Sequence, residues 1–143
     1  MTAVSKSLAV SAPAETILAI VLDVEAYPEW QKEVQKAVIE ERDDQGRPAR
    51  ATMSVSAMGQ EASYTVVYDY PNDKTVQYHL VEGDTMTKND ATFAVSDGQD
   101  GASELTVEMD LALTWNLPEF MITQVTLKGV KDMLRGIKKQ AEQ

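Results

Sequence analysis

The chain has 143 residues, 43% of them hydrophobic, a net charge of −10 at pH 7 and no cysteine. That length suits a single domain with a sizeable core. The acidic balance argues against nucleic acid, whose phosphates call for clustered Lys and Arg, and the missing thiols exclude a disulfide framework, a thiolate metal site and a cysteine nucleophile. No apolar run reaches the roughly 18 residues of a membrane span, and Met1 to Glu15 lacks the continuous apolar stretch of a signal peptide. The expectation is a cytoplasmic protein without stable membrane insertion.

Ala3 to Ser11 alternates, with Val4, Leu8 and Val10 on one side, and reads as a first strand. Pro13 and Glu15 suit the first turn of a helix, where a missing N–H costs nothing and a negative charge meets the positive end of the dipole. Ile17, Ile20, Val21 and Val24 form its apolar stripe. Tyr27 before Pro28 is pushed out of the helical region, so a short second helix or turn is expected there.

Strands follow without a long helix until the end. Val34 to Arg42 is the second, and Asp43 to Pro48 a turn. Ala49 to Ala57 is the third, with Ala51, Met53, Val55 and Ala57 on one face. Met58-Gly59-Gln60 turns the chain into the fourth, Glu61 to Tyr70, where Tyr64, Val66 and Tyr68 share a face. Thr75 to Val81 is the fifth, with Val76, Tyr78 and Leu80 inward; Thr85 to Val95 is the sixth, with Ala91, Phe93 and Val95 inward. The seventh has the clearest pattern: Leu105, Val107, Met109, Leu111, Leu113 and Trp115 alternate with Thr106, Glu108, Asp110, Ala112 and Thr114. The short turns between these strands predict an antiparallel meander.

Asn116-Leu117-Pro118 ends the last strand and the period becomes helical. Thr123, Leu127, Val130, Leu134, Ile137 and Ala141 fall on one face, with Met133 beside them. About 24 helical residues would span about 36 Å. Glu119 near the start and Lys138 and Lys139 near the end complement the dipole. Each apolar face needs a partner, so one curved sheet is expected to cover this helix, with the two small helices closing one end.

This element order resembles the helix-grip superfamily: birch-pollen allergens, START lipid-transfer domains, and bacterial polyketide cyclase/dehydrase-like and coenzyme Q-binding proteins. Asp23 to Trp30, Tyr78 to Gly83, Leu117 to Phe120 and Lys128 to Lys138 carry the local likeness. The resemblance implies an α+β fold in which a seven-stranded curved antiparallel sheet wraps a long C-terminal helix, as one START-like domain over residues 1–143. It also implies a tunnel between sheet and helix for an apolar or amphipathic ligand. The expected wall is Met53, Tyr64, Tyr68, Tyr78, Phe93, Met109, Leu111, Trp115, Leu127, Val130, Met133 and Leu134. Flexible methionines suit an adaptable pocket, and Gly129 and Gly136 at one edge of the helical face leave space. The same mixture of large and small residues also fills a solid core, so a carrier and a solid-cored interaction protein both stay open.

Catalytic signals are sparse. His79 is the single histidine and alternates to the outside, against Tyr78 and Leu80. The acids sit mostly in turns or on outward positions, so no metal set is visible. Asn89 and Asp90 straddle the phase of the sixth strand, and a bulge there would turn Asp90 inward as a candidate buried acid. The tyrosines are candidate polar handles within an apolar pocket. No phosphate loop, nucleophile elbow or dinucleotide fingerprint occurs, so no cofactor is called for. The expectation is a non-enzymatic binder of a small hydrophobic ligand, a monomer or weak dimer, with an aromatase/cyclase-type enzyme as the alternative.

Overall fold

The computed structural model describes residues 3–57, 59–114 and 117–143. Strand β1 (Val4–Val10) leads into α1 (Ala14–Leu22), a single-turn 3₁₀ helix (Val24–Ala26) and α2 (Tyr27–Trp30). Six strands follow: β2 (Val34–Arg42), β3 (Pro48–Ala57), β4 (Gln60–Asn72), β5 (Thr75–Gly83), β6 (Met86–Asp97) and β7 (Ser103–Leu113). The chain ends in α3 (Glu119–Ala141). All strands lie in one antiparallel sheet ordered β1-β7-β6-β5-β4-β3-β2. It is a meander from β2 to β7, with β1 added against β7, Leu8 opposite Leu105. The helix-grip architecture expected from the element order is thus the observed one. Among the described residues no helix is long and apolar enough to cross a membrane.

The alternation places the predicted inward faces inside. Ala51, Met53, Tyr64, Val66, Val76, Tyr78, Ala91, Phe93, Val95, Leu105, Val107 and Met109 are all buried. Outward positions pair across strands, as in the Thr52–Thr65 hydroxyl contact at 2.9 Å and the Lys88–Asp110 ion pair at 2.8 Å. His79 is exposed and lies 3.5 Å from Asp69 on this outer face.

The helical stripe differs from expectation at its start. The buried residues of α3 are Thr126, Val130, Met133, Leu134 and Ile137, whereas Thr123 and Leu127 are only half-buried. Thr126 can be buried because its hydroxyl donates to the Ile122 carbonyl one turn back, at 2.7 Å, leaving no polar group unanswered. A threonine used this way behaves as a small apolar residue, and sequence periodicity does not register it.

The sheet has two ends of different character. At one, Val10, Ile17, Val21, Val66, Phe93, Leu105, Val107, Leu134 and Ile137 form solid core. At the other, the start of β4 and β6, the ends of β3 and β7 and the first half of α3 stand apart and enclose space.

Candidate functional site

The space is a cavity of about 290 Å³ between α3 and the concave face of the sheet. Met53 and Val55 of β3, Ala62 and Tyr64 of β4, Tyr78 of β5, Met86 and Asn89 of β6, and Met109, Leu111 and Leu113 of β7 make its sheet side. Val125, Gly129 and Met133 of α3 face them, and Tyr27 and Gln31 close the end beneath α2. Among the described residues four methionines, Met53, Met86, Met109 and Met133, lie on this wall, so much of the surface is flexible and polarizable.

Of the expected wall residues, Met53, Tyr64, Tyr78, Met109, Leu111 and Met133 are brought together around the cavity. Tyr68 and Phe93 are not on it. They follow Tyr64 and Asn89 along their strands into the solid end, where both pack against Tyr78 at ring separations of 5.6 and 6.1 Å. Val130 and Leu134 belong to the core stripe of α3, not to the cavity wall. Leu127 is not on the cavity wall either; it is half-buried at the far edge of the stripe, beside Leu134. At about 100° per residue, Val125, Lys128, Gly129 and Asp132 form a flank turned away from the Thr126–Ile137 stripe. Leu127 projects nearly opposite that flank. Trp115 lies outside the described residues, as does the side chain of Ala57.

The two helical glycines do different things. A Cβ on Gly129 would meet only Met109 Sδ, at 3.9 Å, so this glycine borders open space. A Cβ on Gly136 would fall 2.4 Å from Trp30 Cε3. The expectation of free space at Gly136 is corrected: the Trp30 indole fills it. Tyr27, stacked edge-on to Trp30 at 5.2 Å, donates its hydroxyl to the Val21 carbonyl, so this pair forms a corner that ties α2 to α1 and α3.

Asp90 is also corrected. Its side chain is half exposed, 3.9 Å from Lys88. The residue turned inward is Asn89, 3% exposed. The sixth strand does carry a bulge, but earlier: Met86 pairs with Leu113 while Lys88 pairs with Ala112, leaving Thr87 extra. Positions 86 and 89 would face opposite sides in a regular strand. The extra residue puts both inside.

The cavity wall therefore holds a few buried polar groups with weak protein partners. Gln31 Nε2 points to Met133 Sδ at 3.6 Å, Tyr64 Oη to Met53 Sδ at 3.7 Å, and Asn89 Nδ2 to Met86 Sδ at 3.6 Å. Thioether sulfur is a poor acceptor. Asn89 Oδ1 has no partner, a state that costs about 1–3 kcal/mol for a buried group. Burial pushes the Tyr64 phenol up to about 12, the Asn89 amide pulling the other way. Tyr78 and Tyr27 are also raised well above the ordinary value, again chiefly by burial, so all three phenols are neutral donors at physiological pH.

Charge is confined to the rim. Lys128 bridges Glu33 and Asp132, each at 2.6 Å, and so joins α3 to the segment between α2 and β2. These exposed ion pairs hold the helix with modest energy. Among the described residues, no group of three or more His, Asp or Glu side chains converges as a metal site would need.

The profile of the family described as polyketide cyclase/dehydrase and lipid transport matches residues 10–138. Among curated proteins, none matches. Among solved structures, a START superfamily protein from Mycobacterium smegmatis superposes with a TM-score of 0.91 at 28% identity, covering 98% of this chain and 97% of that one. A protein from Thermus thermophilus gives 0.80 at 17% identity over 97% and 96% of the two chains. The Zhui aromatase/cyclase from Streptomyces sp. R1128 gives 0.80 at 16% identity over 98% and 93%. The last two likenesses concern the fold alone. With the profile spanning nearly the whole sheet and α3, the chain belongs to the polyketide cyclase/dehydrase and lipid transport family.

Proposed function

We propose that this protein binds and carries a small hydrophobic ligand in the cavity between α3 and the sheet. The observation that carries this reading is the cavity itself: about 290 Å³, close to the lower end of ordinary ligand pockets, walled by aliphatic, methionine and tyrosine side chains. A solid-cored interaction protein would have filled this space. The family's description includes lipid transport, which agrees with a carrier.

Catalysis is the second reading, supported by the resemblance to the Zhui aromatase/cyclase. A cyclisation needs a proton donor or acceptor beside the reacting carbons. The inward candidates are the raised phenols of Tyr64 and Tyr78 and the neutral amides of Asn89 and Gln31, a set suited to orienting a substrate and poorly suited to removing a proton from it. The carrier reading is therefore preferred.

Native mass spectrometry of protein purified from its host, followed by organic extraction, tests it. A co-purifying lipophilic molecule, displaced by saturating lipophilic probe, is the expected result. In the same complex the ε-methyl NMR signals of Met53, Met86, Met109 and Met133 shift, while that of Met121, outside the wall, does not. A protein that is empty and shows no saturable binding of such probes sinks the proposal.

A further inference from the structure

The buried polar groups on the wall narrow the chemistry of the occupant, an inference that rests on the cavity being a ligand site. Gln31, Tyr64 and Asn89 are 9%, 7% and 3% exposed. Each directs a hydrogen at a methionine sulfur, at 3.6, 3.7 and 3.6 Å respectively. Sulfur on a flexible side chain is an acceptor easily displaced by oxygen. Asn89 Oδ1 faces the same space with no donor at all. Turning the amide over exchanges its two ends and still leaves one of them unanswered.

We propose that Asn89 and Tyr64 form a polar subsite for a neutral hydroxyl group on an otherwise apolar ligand. The ligand's O–H donates to Asn89 Oδ1, and its oxygen accepts from the Tyr64 phenol in place of Met53 sulfur. A ketone or ether oxygen could accept from Tyr64 but would leave Asn89 Oδ1 bare. Among the described residues of the wall the cation is Lys128, at the rim and already held by Glu33 and Asp132, so a carboxylate or phosphate would compete with two carboxylates for it. An ammonium would find no carboxylate beside Asn89, since Asp90 points outward to Lys88. The hydroxyl is the group that satisfies both partners without burying charge.

The test uses naphthol and methylnaphthalene, substituted at the same ring position and nearly equal in shape, titrated calorimetrically at neutral pH into the native protein and into Asn89→Leu. The expected result is that Asn89→Leu lowers naphthol affinity by about tenfold while methylnaphthalene affinity stays within about twofold. Retained methylnaphthalene binding is itself the control that the variant is folded. Tyr64→Phe, which keeps the ring, is the second variant and weakens naphthol selectively in the same sense. Equal losses for the two probes, or no loss for either, overturn the hydroxyl subsite and leave the carrier reading standing. Absence of saturable binding of both probes to the native protein overturns the carrier reading and the subsite with it.

Discussion

The indole of Trp30 lies directly over Gly136, so close that a Cβ at that position would come within 2.4 Å of one ring carbon and 2.5 Å of the next. Helix α3 touches α2 at its C-terminal half through this contact, while Val130, Leu134 and Ile137 are buried on its core stripe. Seven residues earlier Gly129 borders the cavity, with only Met109 sulfur near. Gly136→Ala is expected to destabilise by about 1–3 kcal/mol through overpacking against a rigid ring. Gly129→Ala is expected to stabilise by up to about 1 kcal/mol, because alanine is the better helix former and its methyl meets no obstacle. Urea denaturation of the two variants measures both. A Gly136→Ala variant as stable as the native protein would show that Trp30 does not hold this position.

The hydroxyl of Tyr68 is buried in the solid end of the sheet without a hydrogen-bond partner, its ring stacked on Tyr70 and edge-on to Tyr78. Tyr68→Phe keeps the ring contacts and removes an unanswered polar group, so it is expected to be neutral or to stabilise by about 1 kcal/mol. For a chain of this size that corresponds to a rise of about 2–4 °C in Tm. A fall of comparable size would mean that the hydroxyl has a hydrogen-bond partner.

The tyrosines also set an alkaline limit on stability. Burial raises Tyr27, Tyr68 and Tyr78 well above their ordinary value and Tyr64 to about 12. In the unfolded chain these phenols ionise near pH 10. Above that pH the unfolded state loses protons that the folded state retains, so the stability present below about pH 10 falls as pH rises through the folded values. Each buried phenol contributes a loss of up to about 1.4 kcal/mol per pH unit in that window. Denaturation curves taken between about pH 9 and about pH 12 should show this decline, with a shallower slope in Tyr64→Phe. Tyrosinate absorbance should rise mainly with unfolding. Four phenols titrating smoothly in the folded protein would contradict their burial.

Much of the architecture is written in local pattern. The alternation of β7, Leu105 to Leu113 against Thr106 to Ala112, is enough to assign its buried and outer faces, because side-chain direction along a strand has a period of two whatever surrounds it. The same holds for Ala51, Met53, Tyr64, Val66, Val76, Tyr78 and Phe93. Element order and short turns then leave few topologies, and the helix-grip arrangement follows. The outward position of His79 and the polar outer face were legible for the same reason.

Which inward residues border empty space was decided only in three dimensions. Tyr64 and Tyr68 share a face of β4, and periodicity cannot say that one meets the cavity and the other solid core. That depends on where α3 diverges from the sheet. Gly129 was anticipated as a gap at the edge of the helical face, but Val125 and Asp132 were missed because the cavity flank of α3 is not its most apolar stripe, the signal that sequence reading follows. Asn89 continues the inward phase of Ala91, Phe93 and Val95 and was passed over for its neighbour Asp90; the extra residue at Thr87 acts only on Met86, which it brings to the same face. Sequence by itself determined which side of each element is dry; tertiary structure decided where the dry side stays unfilled, since packing depends on the distances between elements that no local period encodes.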